Sequence, residues 1–173
     1  LARAERRRLD LAGGGGDWPR ADLVACSYAL AEIAPARQAA VVGDLWAACE
    51  GLLALVEPGT PAGFARLRAA RQALLAAGAE ILAPCPHAGP CPIVDPDWCH
   101  FRVRLPRSRD HRLAKGAELA FEDEPFAYLL AARPGVGAPA SARVLAPSRA
   151  GKSGVDLKLC TRGGLETRRL PRR

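Results

Sequence analysis

The strongest constraint on this chain is an alternation: two short apolar runs, each followed by a segment with helical periodicity. Ala21-Asp22-Leu23-Val24-Ala25-Cys26-Ser27-Tyr28 follows a turn and is apolar enough for a buried parallel strand. Across residues 35–50, Val41, Val42, Leu45, Trp46 and Cys49 recur at three- and four-residue spacing, and Pro35 suits a first helical turn. Gly51-Leu52-Leu53-Ala54-Leu55-Val56-Glu57 reads as a second strand, stopped by Pro58-Gly59-Thr60-Pro61, and Ala62 to Ala77 as an amphipathic helix closed by Gly78. Strand, helix, strand, helix predicts an α/β domain with a parallel sheet, whose ligands sit beyond the carboxyl ends of the strands. The ligand-facing loops are then Ser27 to Glu32 and Glu57 to Gly63. Glu57, a carboxylate at a strand end, is a candidate ligand contact; charge pairing at the start of the next helix is the competing role.

Composition limits the rest. A chain of 173 residues with 49% apolar side chains holds a real core and is neither disordered nor fibrous. No apolar stretch approaches the ~18 residues of a membrane span. The sequence begins at Leu1 and has no Met, so it reads as a fragment and no targeting signal can be taken from it. The net charge is +7, and all basic residues except Lys115, Lys152 and Lys158 are arginines, the side chain suited to bidentate phosphate contact. That favours an RNA partner, although a coding bias toward Ala, Gly, Pro and Arg gives the same skew. Residues 1–20 are Arg-rich and then Gly-rich; Gly13 to Gly16 follows no strand and reads as a flexible connection rather than a nucleotide loop.

From Glu80 the chain turns irregular, Pro-rich and Cys-rich. Cys85, Cys91 and Cys99 are spaced C-x5-C-x7-C, and Cys160, in the strand Val155 to Thr161, is a further candidate. Thiolates select zinc or iron–sulfur clusters. Four sulfurs around zinc approach to about 3.8 Å from one another, usually from tight turns, whereas a cubane holds its ligands farther apart and tolerates longer loops. The prolines after Cys85 and Cys91 also suit a cluster, so iron–sulfur stands ahead of zinc with both open. His87 and His100 are possible substitute ligands, better read as hydrogen-bonding near the site or contacting RNA. Cys26 and Cys49 lie in apolar segments and read as small buried hydrophobes. Trp18, Trp46 and Trp98 read as packing residues, with Trp98 placed to shield a cluster from water.

A basic stretch follows: Arg102, Arg104, Arg107, Arg109, Arg112 and Lys115 against Asp110 give +5 over fourteen residues. Phe121-Glu122-Asp123-Glu124 is its acidic neighbour. Phe126 to Arg133 then predicts a strand, and residues 143–171 two or three antiparallel strands turning at Gly151-Lys152-Ser153-Gly154 and Gly163-Gly164.

The block Val56-Glu57-Pro58-Gly59-Thr60-Pro61-Ala62-Gly63-Phe64, with Ala83-Pro84-Cys85-Pro86-His87, Cys91-Pro92, Asp97-Trp98-Cys99-His100-Phe101 and Glu122-Asp123-Glu124, resembles the methyltransferase-like family of small-ribosomal-subunit assembly factors of bacteria and mitochondria. The resemblance runs from about Asp22 to Thr161. It implies the later half of a class I S-adenosylmethionine-dependent methyltransferase sheet, Rossmann-like, with a Cys-rich insertion and a C-terminal antiparallel meander. The corresponding divisions are a connection over 1–20, the methyltransferase-like α/β part over 21–79, and the cluster segment with its basic stretch and C-terminal strands over 80–173. It further implies small-subunit rRNA as partner and a 4Fe-4S cluster with Cys85, Cys91, Cys99 and Cys160 as ligands.

The family's first strand and glycine-rich cofactor loop are expected upstream of residue 1, so S-adenosylmethionine is expected of the full-length protein. Ser27, Tyr28 and Glu57 would form only one wall of its pocket. No Asn-Pro-Pro-Tyr-like motif is present; Cys26-Ser27-Tyr28-Ala29 takes that strand end, and no catalytic residue is assigned. Arg102, Arg104, Arg107, Arg109, Arg112 and Lys115 are the expected RNA contacts. The functional expectation is a monomeric rRNA-binding assembly factor with a structural cluster and no membrane partner, cytoplasmic in a bacterium or in the mitochondrial matrix of a eukaryote. The alternatives are an active S-adenosylmethionine-dependent rRNA methyltransferase and a zinc-stabilised nucleic-acid-binding module.

Overall fold

The computed structural model describes residues 4–13 and 18–172. Strands β1 (Ala21–Ser27) and β2 (Cys49–Pro58) are parallel neighbours connected through a 3-10 turn, Leu30–Glu32, and helix α1 (Pro35–Ala48). Helix α2 (Pro61–Ala76) starts on Thr60, whose hydroxyl accepts from the Gly63 amide, with Pro61 in its first turn. Gly63 is required by space, since a Cβ there would lie 2.1 Å from the Pro58 carbonyl oxygen. Val41, Val42, Leu45 and Trp46 of α1 and Leu67, Ala70 and Leu74 of α2 close on Leu53 and Leu55 of β2 to form one core. Cys26 and Cys49 belong to it, 7% and 0% exposed.

The predicted parallel sheet is corrected to a mixed one. Strand β3 (Glu80–Ala83) points the same way as β1 and β2, but β5 (Phe121–Ala132) lies between β2 and β3 and is antiparallel to both, giving the order β1-β2-β5-β3. The strand–helix alternation ends at α2, and β5 arrives instead as the return strand of β4 (Phe101–Pro106), with which it is also antiparallel. Such a return needs no crossover; a seven-residue helix, α3 (Arg109–Lys115), capped by Ser108 and ended at Gly116, suffices. The basic stretch is therefore β4 plus α3. The strand expected from Phe126 begins at Phe121 and takes the acidic triplet into the sheet.

A second, antiparallel sheet holds β6 (Ala142–Val144), β7 (Arg149–Gly151), β8 (Gly154–Thr161) and β9 (Gly164–Pro171), with β8 central. There are four strands rather than two or three because one edge of β8 is covered by two short pieces. The chain between them contains Pro147, which has no amide hydrogen to give a ladder. The turns fall where the glycines predicted them.

Three smaller differences concern boundaries. Helix α1 ends at Ala48, and Cys49, placed by periodicity on its apolar face, opens β2 instead. The segment from Glu80, read as irregular, first forms β3. In the N-terminal connection, Leu11, Ala12 and Trp18 pack against the core and Arg37 donates to the Ala12 carbonyl; Gly14 to Gly16 lie outside the described residues. No helix among the described residues is long and apolar enough to cross a membrane.

Candidate metal centre

Strands β3 and β4 occupy the same edge of β5 in succession. β3 pairs with Ala132 to Leu130, and β4 with Phe126 to Phe121. The chain from Pro84 to His100 therefore leaves and rejoins this edge across only Ala127, Tyr128 and Leu129. Those three residues, with Phe64 and Leu67 of α2, line a cavity of about 40 Å³. Cys85, Cys91 and Cys99 line it from the loop and Cys160 from β8, so the structure brings all four predicted ligands to one place.

Several contacts hold the loop in this position. Arg71 of α2 donates to the carbonyls of His87 and Gly89, both at 2.8 Å, and the Trp98 indole donates to the Gly59 carbonyl at 2.9 Å. Gly59 is closely approached by β5, and a Cβ there would lie 2.7 Å from the Phe126 nitrogen. Lys158 of β8 pairs with Asp97 at 2.5 Å, and His87 Nε2 lies 3.7 Å from Cys160 Sγ. His100 stacks on Trp98, ring centroids 5.0 Å apart.

Burial raises the pKa of the Cys85 and Cys160 thiols, and it raises Cys99 to about 12 with further help from Cys85, Cys91 and Cys160. Taking up a metal thus means expelling protons from an apolar enclosure. Two cations oppose the shift: Arg71 lowers Cys85 and Cys160, and Arg143 lowers Cys85 and Cys99. An all-sulfur donor set in an apolar cavity is the chemistry of zinc or iron–sulfur and not of hard cations. Among the described residues, no three His, Cys, Asp or Glu side chains are gathered as around a single metal ion. Cys26 and Cys49 sit apart in the α/β core.

Ser27, Tyr28 and Glu57 come together at the carboxyl ends of β1 and β2. Ser27 pairs with Val56, and Tyr28, in left-handed backbone at φ +54°, donates its amide to the Val56 carbonyl. Its hydroxyl is 3.3 Å from Glu124. Glu57 is 1% exposed and accepts from Arg66 of α2 at 2.6 Å through Oε2. The helix-pairing role is thus filled, while Oε1 is buried without a partner.

The basic stretch is partly neutralised within its own hairpin. Arg104 forms a bidentate pair with Asp123 and lies 3.9 Å above the Phe121 ring. Arg107 and Lys115 both face Glu122. Arg102, Arg109 and Arg112 make no ion pair among the described residues, so the surface carries less free charge than the +5 run suggests.

Two residues of the centre escaped the sequence reading. Arg71 lies on the buried face of α2 with Leu67, Ala70 and Leu74, and an arginine on an apolar stripe is the signal that would have found it. Arg143 gave no signal, because its place depends on the pairing of β6 with β8.

None of the curated proteins matches this sequence significantly. The family described as mitochondrial small ribosomal subunit Rsm22 matches residues 2–171, in agreement with the partial Rossmann-like sheet, and the chain belongs to that family.

Proposed function

We propose that this chain is an rRNA-binding assembly factor of the small ribosomal subunit in which Cys85, Cys91, Cys99 and Cys160 hold one structural 4Fe-4S cluster. The observation that carries the reading is the convergence of three loop thiols and one thiol from a distant strand on a single apolar cavity. A cubane takes its ligands from a wider circle than zinc does, in keeping with four sulfurs that line one cavity without closing on a point. With four protein thiolates every iron is fully coordinated, so the cluster serves structure: it pins the loop between β3 and β4 to the second sheet. The family's description supports the small subunit as partner and the mitochondrial matrix as location.

S-adenosylmethionine, when bound, would supply an electrophilic methyl group. Ser27, Tyr28 and Glu57 would form one wall of its site. The free Glu57 Oε1 supports this, being a buried acceptor suited to a hydroxyl donor.

Binding to small-subunit rRNA, measured with the cluster-loaded protein and with a Cys99→Ser variant, tests the reading. Loss of the cluster is expected to weaken rRNA binding at least tenfold, because the loop and the second sheet lose their common anchor. Undiminished binding by a cluster-free variant would contradict the proposed role.

A further inference from the structure

Among the described residues, four buried side-chain polar atoms have no hydrogen-bond partner, and two of them are guanidinium Nε atoms close to the four cysteines: that of Arg71, which lines the cavity, and that of Arg143, across the β6–β8 ladder from Cys160. An unpartnered charged donor taken out of water is costly and marks a place where an anion is missing from the account. Arg71 is only 5% exposed, and its contacts with the loop carbonyls engage one terminal nitrogen, leaving Nε unused. Arg143 stands directly opposite Cys160 in the β6–β8 ladder, so the two side chains share one face of the second sheet. Nothing in the proposed ligand set accounts for these cations.

We infer that Arg71 and Arg143 are positioning residues that neutralise the charge of the thiolate-bound cluster, one from α2 and one from β6. The inference rests on the cluster proposed above. An oxidised 4Fe-4S core held by four thiolates carries a net double negative charge, which two guanidinium groups balance. One added electron makes that charge triple while breaking no bond. Both arginines therefore favour the reduced state, and together they hold the reduction potential above that of the same cluster in a neutral enclosure. Arg71 has a second task, since its bonds to His87 and Gly89 shape the loop between Cys85 and Cys91. The Arg143 side chain makes no hydrogen bond among the described residues, so substituting it isolates the electrostatic contribution.

The test is a potentiometric titration of anaerobically purified protein with dithionite as electron donor, followed by electron paramagnetic resonance. Arg143→Gln is expected to keep its iron and sulfide but to take up the electron about tenfold less readily, a fall of about 59 mV for a one-electron couple. Arg143→Lys, which retains the charge, is expected to recover most of that difference. Arg71→Gln, the second variant, is expected to show a lower potential together with lower cluster occupancy. A cluster-bearing Arg143→Gln at the wild-type potential would overturn the inference, as would an Arg143→Lys shift as large as that of the glutamine variant. Wild-type protein holding zinc, or no metal, would overturn the cluster reading underneath, and that outcome is recognisable before any variant is made.

Discussion

The α/β core and the loop region use the same residue type in opposite ways. In the core, Cys26 and Cys49 pack among Leu53, Leu55 and Val41, where a thiol is one more small apolar group. In the loop region, Cys85, Cys91, Cys99 and Cys160 face one another across a cavity with two guanidinium groups nearby. The core is ordered by burial of leucine and valine on regular elements and needs nothing from outside the chain. Between β3 and β4, regular hydrogen bonding stops, and a stretch with five prolines is held by side chains reaching in from α2 and β8 and by its own Trp98, which reaches out to the turn after β2. The contrast teaches that a cysteine's role is set by what else shares its enclosure, apolar side chains alone or other thiols with buried cations.

The change expected to separate the two regions most sharply is Cys160→Ser. It should abolish the metal centre and release both the loop and the second sheet, while α1 and α2 stay folded; structural thiolate sites are worth on the order of 10 kcal/mol. Hydrogen exchange would reveal this as lost amide protection over 84–100 and 142–171 with protection retained in β2. Uniform loss across both regions would mean that they do not separate. Leu55→Ala is the converse. Leu55 is fully buried opposite Leu129, and truncation should cost about 2 to 5 kcal/mol in denaturant unfolding while metal content per folded chain stays unchanged.

How much of this was legible in the sequence divides along the same line. The core elements could be read because apolar periodicity reports burial directly: β1, α1, β2 and α2 stand within two residues of their predicted bounds. The antiparallel course of β5 could not be read, because an apolar run carries no direction and its pairing depends on a return from β4. The cysteine spacing marked a centre, but not the partners that hold it. Lys158 meets Asp97 only once β8 is folded back on the loop, and Arg143 meets Cys160 only through the pairing of β6 with β8. The basic stretch was legible as charge and not as pairing, since Glu122 and Asp123 become its partners only through the β4–β5 register.

That pairing gives an intermediate effect on RNA affinity. Neutralising Arg102 and Arg109 together should lower the salt dependence of rRNA binding by about 0.7 to 0.9 per lost phosphate contact. Neutralising Arg104 and Arg107 should change it less, because their charge is already met within the hairpin. Equal changes from the two double variants would show that the ion pairs open when RNA binds.

The smallest effect concerns pH. Arg107, with Lys115, holds the Glu122 carboxyl below its usual range, and Arg104 does the same for Asp123. A carboxylate with a lowered folded pKa stabilises the protein above its unfolded value, and the contribution is lost as pH falls through the folded pKa. Acidification below the ordinary carboxylate range should therefore loosen β4 from β5 slightly, seen as faster amide exchange in β4 after correction for intrinsic rates. These groups are solvent-facing, so added salt should reduce the effect. Exchange in β4 insensitive to acid would remove the ion pairs from the account of this hairpin.

The central claim is the identity of what the four converging thiols hold. Iron, acid-labile sulfide and zinc should be measured in protein made under iron-replete, anaerobic conditions, alongside variants carrying serine at Cys85, Cys91, Cys99 or Cys160. About four iron and four sulfide per chain are predicted for the wild type, with loss in each of the four variants and none in Cys26→Ala or Cys49→Ala. Stoichiometric zinc without sulfide would contradict the cluster, and a full cluster in the Cys160→Ser variant would contradict the link between the loop and the second sheet.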